Sequence, residues 1–414
     1  MLHSGRVHAW LALLWLLWLP LAQAQDDASA AVAAEPALEV TLITVEPGAL
    51  YWQRFGHNAI LLERPGARNG VSYNFGYFDF GQPDFLMRFL RGRMLYQAVA
   101  LDGNRDIAGY LEDGRRVWLQ RLRLSPEGTR VLAAHLEDHV RPEHRDYRYD
   151  YYTINCSTKV RDALDLALGG ALKRATEHRS HGWTWRRFTR AYAQGVPWLY
   201  LGTDLALGQA VDRPLSIWEE AFIPGELKRQ IGELKLDDGS PLVASEQVLP
   251  VGAADIAPAP TVPDWRAGFA AAGIALAGLL LVLARLAERG GVARWPLAVV
   301  GGLLSLLLAA AGTLILGLWV GTDHAAAWRN ENLMLLSPSW WLTLPAWLVL
   351  LGRDQVSAWV ARAAVIGAWL AVAGIALGAL LKVFKSFDQA NIEWLLLLLP
   401  LVLALRYVLV KRCR

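Results

Sequence analysis

The sequence predicts an exported α+β domain followed by an α-helical membrane domain of about five spans. Three observations carry that prediction. The 414 residues are 54% hydrophobic and only 19% charged, above the roughly 45–50% apolar share of an ordinary soluble protein. The excess is uneven: Gln25 to Pro263 has the composition of a polar domain, whereas Arg266 to Val410 is dominated by Leu, Ala, Gly, Val and Trp. The N-terminus, finally, carries an export signal. Net charge is only +3 and no basic block is interleaved with aromatics, so nucleic acid is excluded as a partner.

The signal consists of a weakly basic stretch with His3, Arg6 and His8, the apolar run AWLALLWLLWLPL, and Ala22-Gln23-Ala24 as an A-x-A cleavage site. Residues 1–24 are assigned to it; an uncleaved anchor helix is the alternative, and either way Gln25 onward is exported. Residues 25–249 form the exported domain, 250–264 a stiff Pro/Ala linker, and 265–414 the membrane domain.

Within the exported domain, Glu39–Val45 alternates as a strand. Asn58–Glu63 and Val71–Phe80 read as a hairpin around the loop Arg64–Gly70, and Arg115–Leu124 as a further strand. Ser125-Pro126 opens a helix to about Val140, Ser as N-cap and Pro at the first helical position. A second helix runs from about Cys156 to Leu168 and ends at Gly169-Gly170. Its Cys156, Val160, Ala163, Leu164 and Ala167 share one apolar face.

Five apolar segments follow: Ala267–Ala287, Trp295–Val320, Trp340–Leu351, Ala363–Leu381 and Trp394–Val410. The third is short for a ~20-residue span and either tilts little or borrows length from its flanks. Arg285, Arg289 and Arg294, then Arg353 and Arg362, then Arg406, Lys411, Arg412 and Arg414 mark three cytoplasmic stretches by the positive-inside rule. The loops Gly321–Ser339 and Lys382–Glu393 therefore lie outside, with Lys382 and Lys385 running against the pattern. Trp265, Trp295, Trp319, Trp340, Trp341 and Trp394 stand at segment ends, as an interfacial belt requires.

Chemistry centres on Cys156. It is the one cysteine of the exported domain, Cys413 being at the far C-terminus, and an unpaired thiol in an oxidising compartment is a liability unless buried or used. At a helix N-terminus the backbone N–H groups and positive dipole end favour a thiolate and supply oxyanion donors. A thiol nucleophile needs a base, and His57, in FGHNAI, opens a strand beside Gly56. Asn74 and Asp79 both lie on the partner strand, but they alternate across the pleat and only one of them faces His57. Asn155 either caps the helix, the commoner role, or donates to an oxyanion. His135-Leu-Glu-Asp-His139 has an i, i+4 imidazole pair but lacks a convincing third ligand, so no metal is expected. There is no P-loop, no G-x-G-x-x-G and no G-x-S-x-G, and no cofactor is expected.

FGHNAILL, then YNFGYFDF with Phe85, Phe89, Gly92 and Tyr96 after it, then YDYYTINCSTKVRDAL resembles the Lnb N-terminal periplasmic domain family. The order His then Cys is similar to the circularly permuted papain-like fold shared with lecithin:retinol acyltransferase-like thiol enzymes. The resemblance extends to Asp323-His324, Asn330, Asn332-Leu333 and Pro338. It implies lipoprotein N-acyltransferase activity of the Bacteroides type, with Cys156 as nucleophile and His57 as base. It also implies a phospholipid donor, a lipoprotein acceptor, and residence in the bacterial inner membrane with the N-terminal domain in the periplasm. The loop bearing His324, Asn330 and Asn332 either binds substrate or simply closes on itself through its amides. A papain-like peptidase or amidase acting on envelope peptide is the alternative of the same fold. A non-catalytic membrane sensor or assembly factor is the alternative of another class.

Overall fold

The computed structural model describes residues 38–249, 262–289, 294–352, 356–384 and 388–413. The export signal, most of the linker, Arg353, Lys385 and Arg414 lie outside them. The sheet strands are β1 (Glu39–Val45), β2 (His57–Glu63), β3 (Val71–Tyr77), β4 (Leu95–Asp102), β5 (Val117–Leu122), β6 (Asp146–Arg148) and β7 (Val243–Leu249). They pair antiparallel throughout, in the order β6-β4-β3-β2-β1-β5-β7. Between and after them come α1 (Phe85–Leu90), α2 (Gly103–Glu112), α3 (Pro126–His139), α4 (Cys156–Ala167), α5 (Ala171–Thr176), α6 (Trp185–Ala193) and α7 (Pro197–Ala206).

The period of two along β2 splits the sheet into two buried faces. Ile60 and Leu62 join Val40, Leu42 and Phe75 under α3 and α4, against Leu132, Leu136, Val160 and Leu164. Ala59 and Leu61 point the other way, with Ile43 and Val45, against Ile107 and Leu111 of α2. Each fully buried Leu or Ile contributes about 1.5–3 kcal/mol, so α4 is held to the sheet along its whole apolar face. Ser125 caps α3 by accepting the Gly128 N–H at 3.0 Å, ahead of Pro126 as the first helical residue.

Three expectations change. The strand read as Val71–Phe80 stops at Tyr77: the register slips between Phe75 and Tyr77, where Gly76 has φ +89°. The strand read as Arg115–Leu124 is confined to Val117–Leu122. Strands β4 and β7, unforeseen, flank the predicted hairpin and strand and extend the sheet on both sides.

Five helices are long and apolar enough to cross a membrane: Arg266–Glu288, Arg294–Gly321, Asn332–Gly352, Ala358–Leu381 and Ile392–Arg412. The third does borrow length: it starts at Asn332, makes a 3-10 turn at Pro338–Thr343, and continues as Leu344–Gly352. The second approaches it so closely that a Cβ on Gly312 would collide with the Leu336 carbonyl oxygen.

Both loops expected outside meet the exported domain. Arg93 and Arg148 bond Asp323 at 2.9 and 3.2 Å, and Arg190 Nη2 donates to the Ala390 carbonyl at 2.8 Å. Gln389 Nε2 donates to the Leu207 carbonyl at 3.1 Å. Lys382, whose charge runs against the positive-inside pattern, is engaged by Glu331 at 2.6 Å.

Candidate active site

Asn155 precedes α4 and closes a reciprocal box: its side chain accepts the Thr158 N–H at 2.9 Å, and Thr158 Oγ1 accepts the Asn155 N–H at 2.8 Å. Asn155 Nδ2 donates to the Tyr151 and Phe222 carbonyls at 3.0 and 2.9 Å. Both ends of the amide are engaged, so Asn155 caps the helix and presents no donor to an oxyanion. Its neighbour Cys156 is thereby fixed as the first residue of the helix, buried.

The sequence places the base and the thiol on opposite sides of the sheet. His57 shares its pleat face with Ala59, under α2, whereas α4 lies on the other face. They meet at the end of β2 because Gly76 has no side chain there. Ala59 pairs with Asn74, and continuing that register sets Gly76 beside His57. A Cβ on Gly76 would lie 3.6 Å from the Cys156 Cβ and 3.4 Å from Tyr149 Cε2. Its φ of +89° is left-handed backbone that glycine adopts without strain.

Here Cys156 and His57 lie close enough for each to shift the other's pKa, and the backbone N–H groups of Asn58 and Ser157 also lower that of the thiol. Burial pushes the thiol pKa up, but His57 and these N–H groups outweigh it, and the net direction is down. Burial likewise pulls the His57 imidazole down, and the negative charge of Cys156 with hydrogen bonds to Cys156 and Asn74 more than offsets it, so the net direction is up. Both directions favour a resting thiolate–imidazolium pair.

Asn74 lies on the same pleat face as His57, diagonally across the pair. His57 Nε2 and Asn74 Oδ1 are 2.8 Å apart. The Asn74 amide nitrogen is occupied in donating to Ser72 Oγ at 3.0 Å and Asp106 Oδ2 at 2.9 Å. Its oxygen therefore faces the ring, Nε2 carries the proton, and Nδ1 is left for the sulfur. Ser72 Oγ also donates to Asp106, at 2.6 Å, and Tyr110 OH donates to Asn74 Oδ1 at 3.2 Å. His57, Asn74, Gly76, Phe78, Asp106 and Tyr110 border a pocket of about 290 Å³.

Asp79 takes no part. It is exposed beyond the end of β3 and accepts the Gly81 N–H at 2.7 Å. The outer loop is not brought to Cys156 either. His324 Nε2 donates to the Phe89 carbonyl at 3.0 Å. Asn330 donates to the Leu205 and Ala206 carbonyls, and Asn332 to Leu205, all within 3.0 Å. These amides fasten the exported domain to the spans. His139 Nδ1 bonds the His135 carbonyl at 2.9 Å, and among the described residues no three His, Cys, Asp or Glu side chains are grouped to hold a metal ion.

Three residues escaped sequence reasoning: Asp106 and Tyr110 on α2, and Tyr147 on β6. The Tyr147 hydroxyl is buried beside Gly76 and no acceptor takes its proton. The dense tyrosine run before Asn155 was the available signal for Tyr147; for Asp106 nothing local existed.

The fold and site define an antiparallel-sheet domain with a buried thiol–imidazole–amide array, joined to five membrane-capable helices. Residues 24–191 match the family described as the Lnb N-terminal periplasmic domain, the family whose motifs the sequence carries. The match takes in β1 to β6 and ends before the five helices that are long and apolar enough to cross a membrane. No curated protein and no solved structure matches it.

Proposed function

We propose that this protein is a thiol acyltransferase of the bacterial inner membrane, moving an acyl chain from a phospholipid through a Cys156 thioester to the N-terminal amine of a lipoprotein. The observation that carries this reading is the Cys156–His57–Asn74 array in a domain bonded to the outer loops of the spans. The order of a strand histidine before a helix cysteine also suits a permuted papain-like fold.

In the reaction, the Cys156 thiolate attacks the ester carbonyl carbon and the carbonyl electrons move to oxygen. The Cys156 N–H at the start of α4 and the Tyr147 hydroxyl stabilise that oxyanion. The intermediate collapses by breaking the ester C–O bond, and the His57 imidazolium gives its proton to the leaving lysolipid oxygen. The amine then attacks the thioester, His57 takes its proton, and the thiolate is released with an amide formed. Asn74 holds the ring in the required tautomer. Confinement of both substrates to one bilayer raises their effective concentration.

The test is to incubate the purified full-length protein with phospholipid and no acceptor. A fatty-acyl adduct on Cys156 that neutral hydroxylamine releases, absent from Cys156→Ala, supports the reading. Cleavage of envelope peptide amides with no acyl adduct replaces it with the peptidase.

A further inference from the structure

The catalytic array continues into a chain of touching aromatic rings that leads away from the sheet. Tyr149, which flanks Gly76 together with Cys156, stacks on Tyr96 at 4.3 Å between centroids, and Tyr96 stacks on Phe78 at 5.1 Å. Phe78 meets Phe80 at 5.0 Å, and Phe80 meets Phe85 at 5.1 Å and Trp52 at 6.0 Å. The chain runs from buried to open: Tyr96 is buried, whereas Trp52 and Phe80 are exposed.

The exposed end broadens into an apolar surface. Leu86 is 67% exposed and Leu90 is also open, both on α1, and Trp198 on α7 is 65% exposed and meets Tyr51. Soluble proteins rarely leave contiguous apolar surface of this kind uncovered. Both helices that carry it are pinned to the outer ends of spans. The end of α1 is held by Asp323 N–H donating to the Arg91 carbonyl at 2.8 Å, two residues after the second span. The end of α7 takes the Asn332 amide at the start of the third span, and its Asp204 accepts Trp394 Nε1 at 2.9 Å at the start of the fifth. The surface thus sits at the level where the bilayer begins.

We propose that this aromatic surface takes the fatty acyl chain of a bilayer phospholipid and leads its ester to Cys156. The inference rests on the acyltransferase reading for its product, but the surface can be tested apart from it. Full-length protein is reconstituted in phosphatidylethanolamine vesicles carrying a photoactivatable group at the acyl-chain end. Crosslinks on the segments containing Trp52, Phe80 and Phe85 are expected. Labelling confined to the outer walls of the five spans overturns the proposal.

The exposed variant Trp52→Ser/Phe80→Ser is then compared with wild type using two donors. Acylation of Cys156 by phospholipid should fall roughly tenfold or more, from lost apolar contact, while acylation by water-soluble p-nitrophenyl acetate stays unchanged. Equal phospholipid rates in the two proteins overturn the proposal, as does a dimer held by this surface in detergent. If wild type reacts with the soluble ester but never with phospholipid, the acyltransferase reading fails, the rate comparison no longer applies, and crosslinks on the surface support acyl-chain binding there while their absence overturns it.

Discussion

Replacing Asn74 by alanine discriminates between the two third-residue candidates. Asn74 Oδ1 is the acceptor 2.8 Å from His57 Nε2, and a hydrogen bond from a charged donor contributes about 1.5–3 kcal/mol. At 1.36 kcal/mol per tenfold, its loss should lower the rate of the thiolate reaction by about one to two powers of ten. The pH profile should change in a specified sense. Without its acceptor the imidazolium is less stable, so the His57 pKa falls; with a weaker positive partner the Cys156 pKa rises. The reactive window, bounded below by the depressed thiol and above by the raised imidazole, should narrow from both sides. The assay is the rate of Cys156 alkylation by iodoacetamide against pH, with acyl transfer measured in parallel. Asp79→Ala should match wild type in both. An unshifted profile in Asn74→Ala, or an equal loss in Asp79→Ala, would refute the assignment of Asn74.

Gly76→Val should abolish alkylation and acylation, because branches on a Cβ already 3.6 Å from Cys156 Cβ close the gap between the faces; circular dichroism should show the fold retained at lowered Tm, since φ +89° strains any β-branched residue. Tyr147→Phe should lower acyl transfer about 100-fold, in the range for loss of an oxyanion donor, while leaving the alkylation profile in place; a shifted profile would make Tyr147 a positioning residue instead. Asn332→Ala should loosen the seam between the domains, read as faster hydrogen exchange around Leu205, with Cys156 alkylation unchanged. An impermeant thiol reagent applied to intact spheroplasts should spare Cys413, and labelling of it from outside would contradict the five-span sidedness.

Much of this protein was legible from local pattern. Period-two alternation marked β1, a mostly apolar run after Gly56-His57 marked β2, Ser125-Pro126 marked the start of α3, and Asn155-Cys156 marked a capped helix with the thiol in its first turn. Arginine distribution marked which loops lie with the exported domain, because membrane insertion reads charge along the chain. The sequence also narrowed the site to Cys156, His57 and one of two residues on the next strand. Register then decided for Asn74, since a β-bulge at Gly76 ends the strand before Asp79 and a loop of that length leaves pairing open. Tertiary structure alone brought Asp106 under Asn74 and Tyr147 beside the thiol, across 32 residues in the first case. For His324, Asn330 and Asn332, where the sequence left substrate binding and loop closure open, it supplied a third outcome: their polar atoms fasten onto backbone of the exported domain more than 120 residues away. Local spacing sets which face a side chain shares; which distant backbone lies opposite that face is set by the packing of the whole chain.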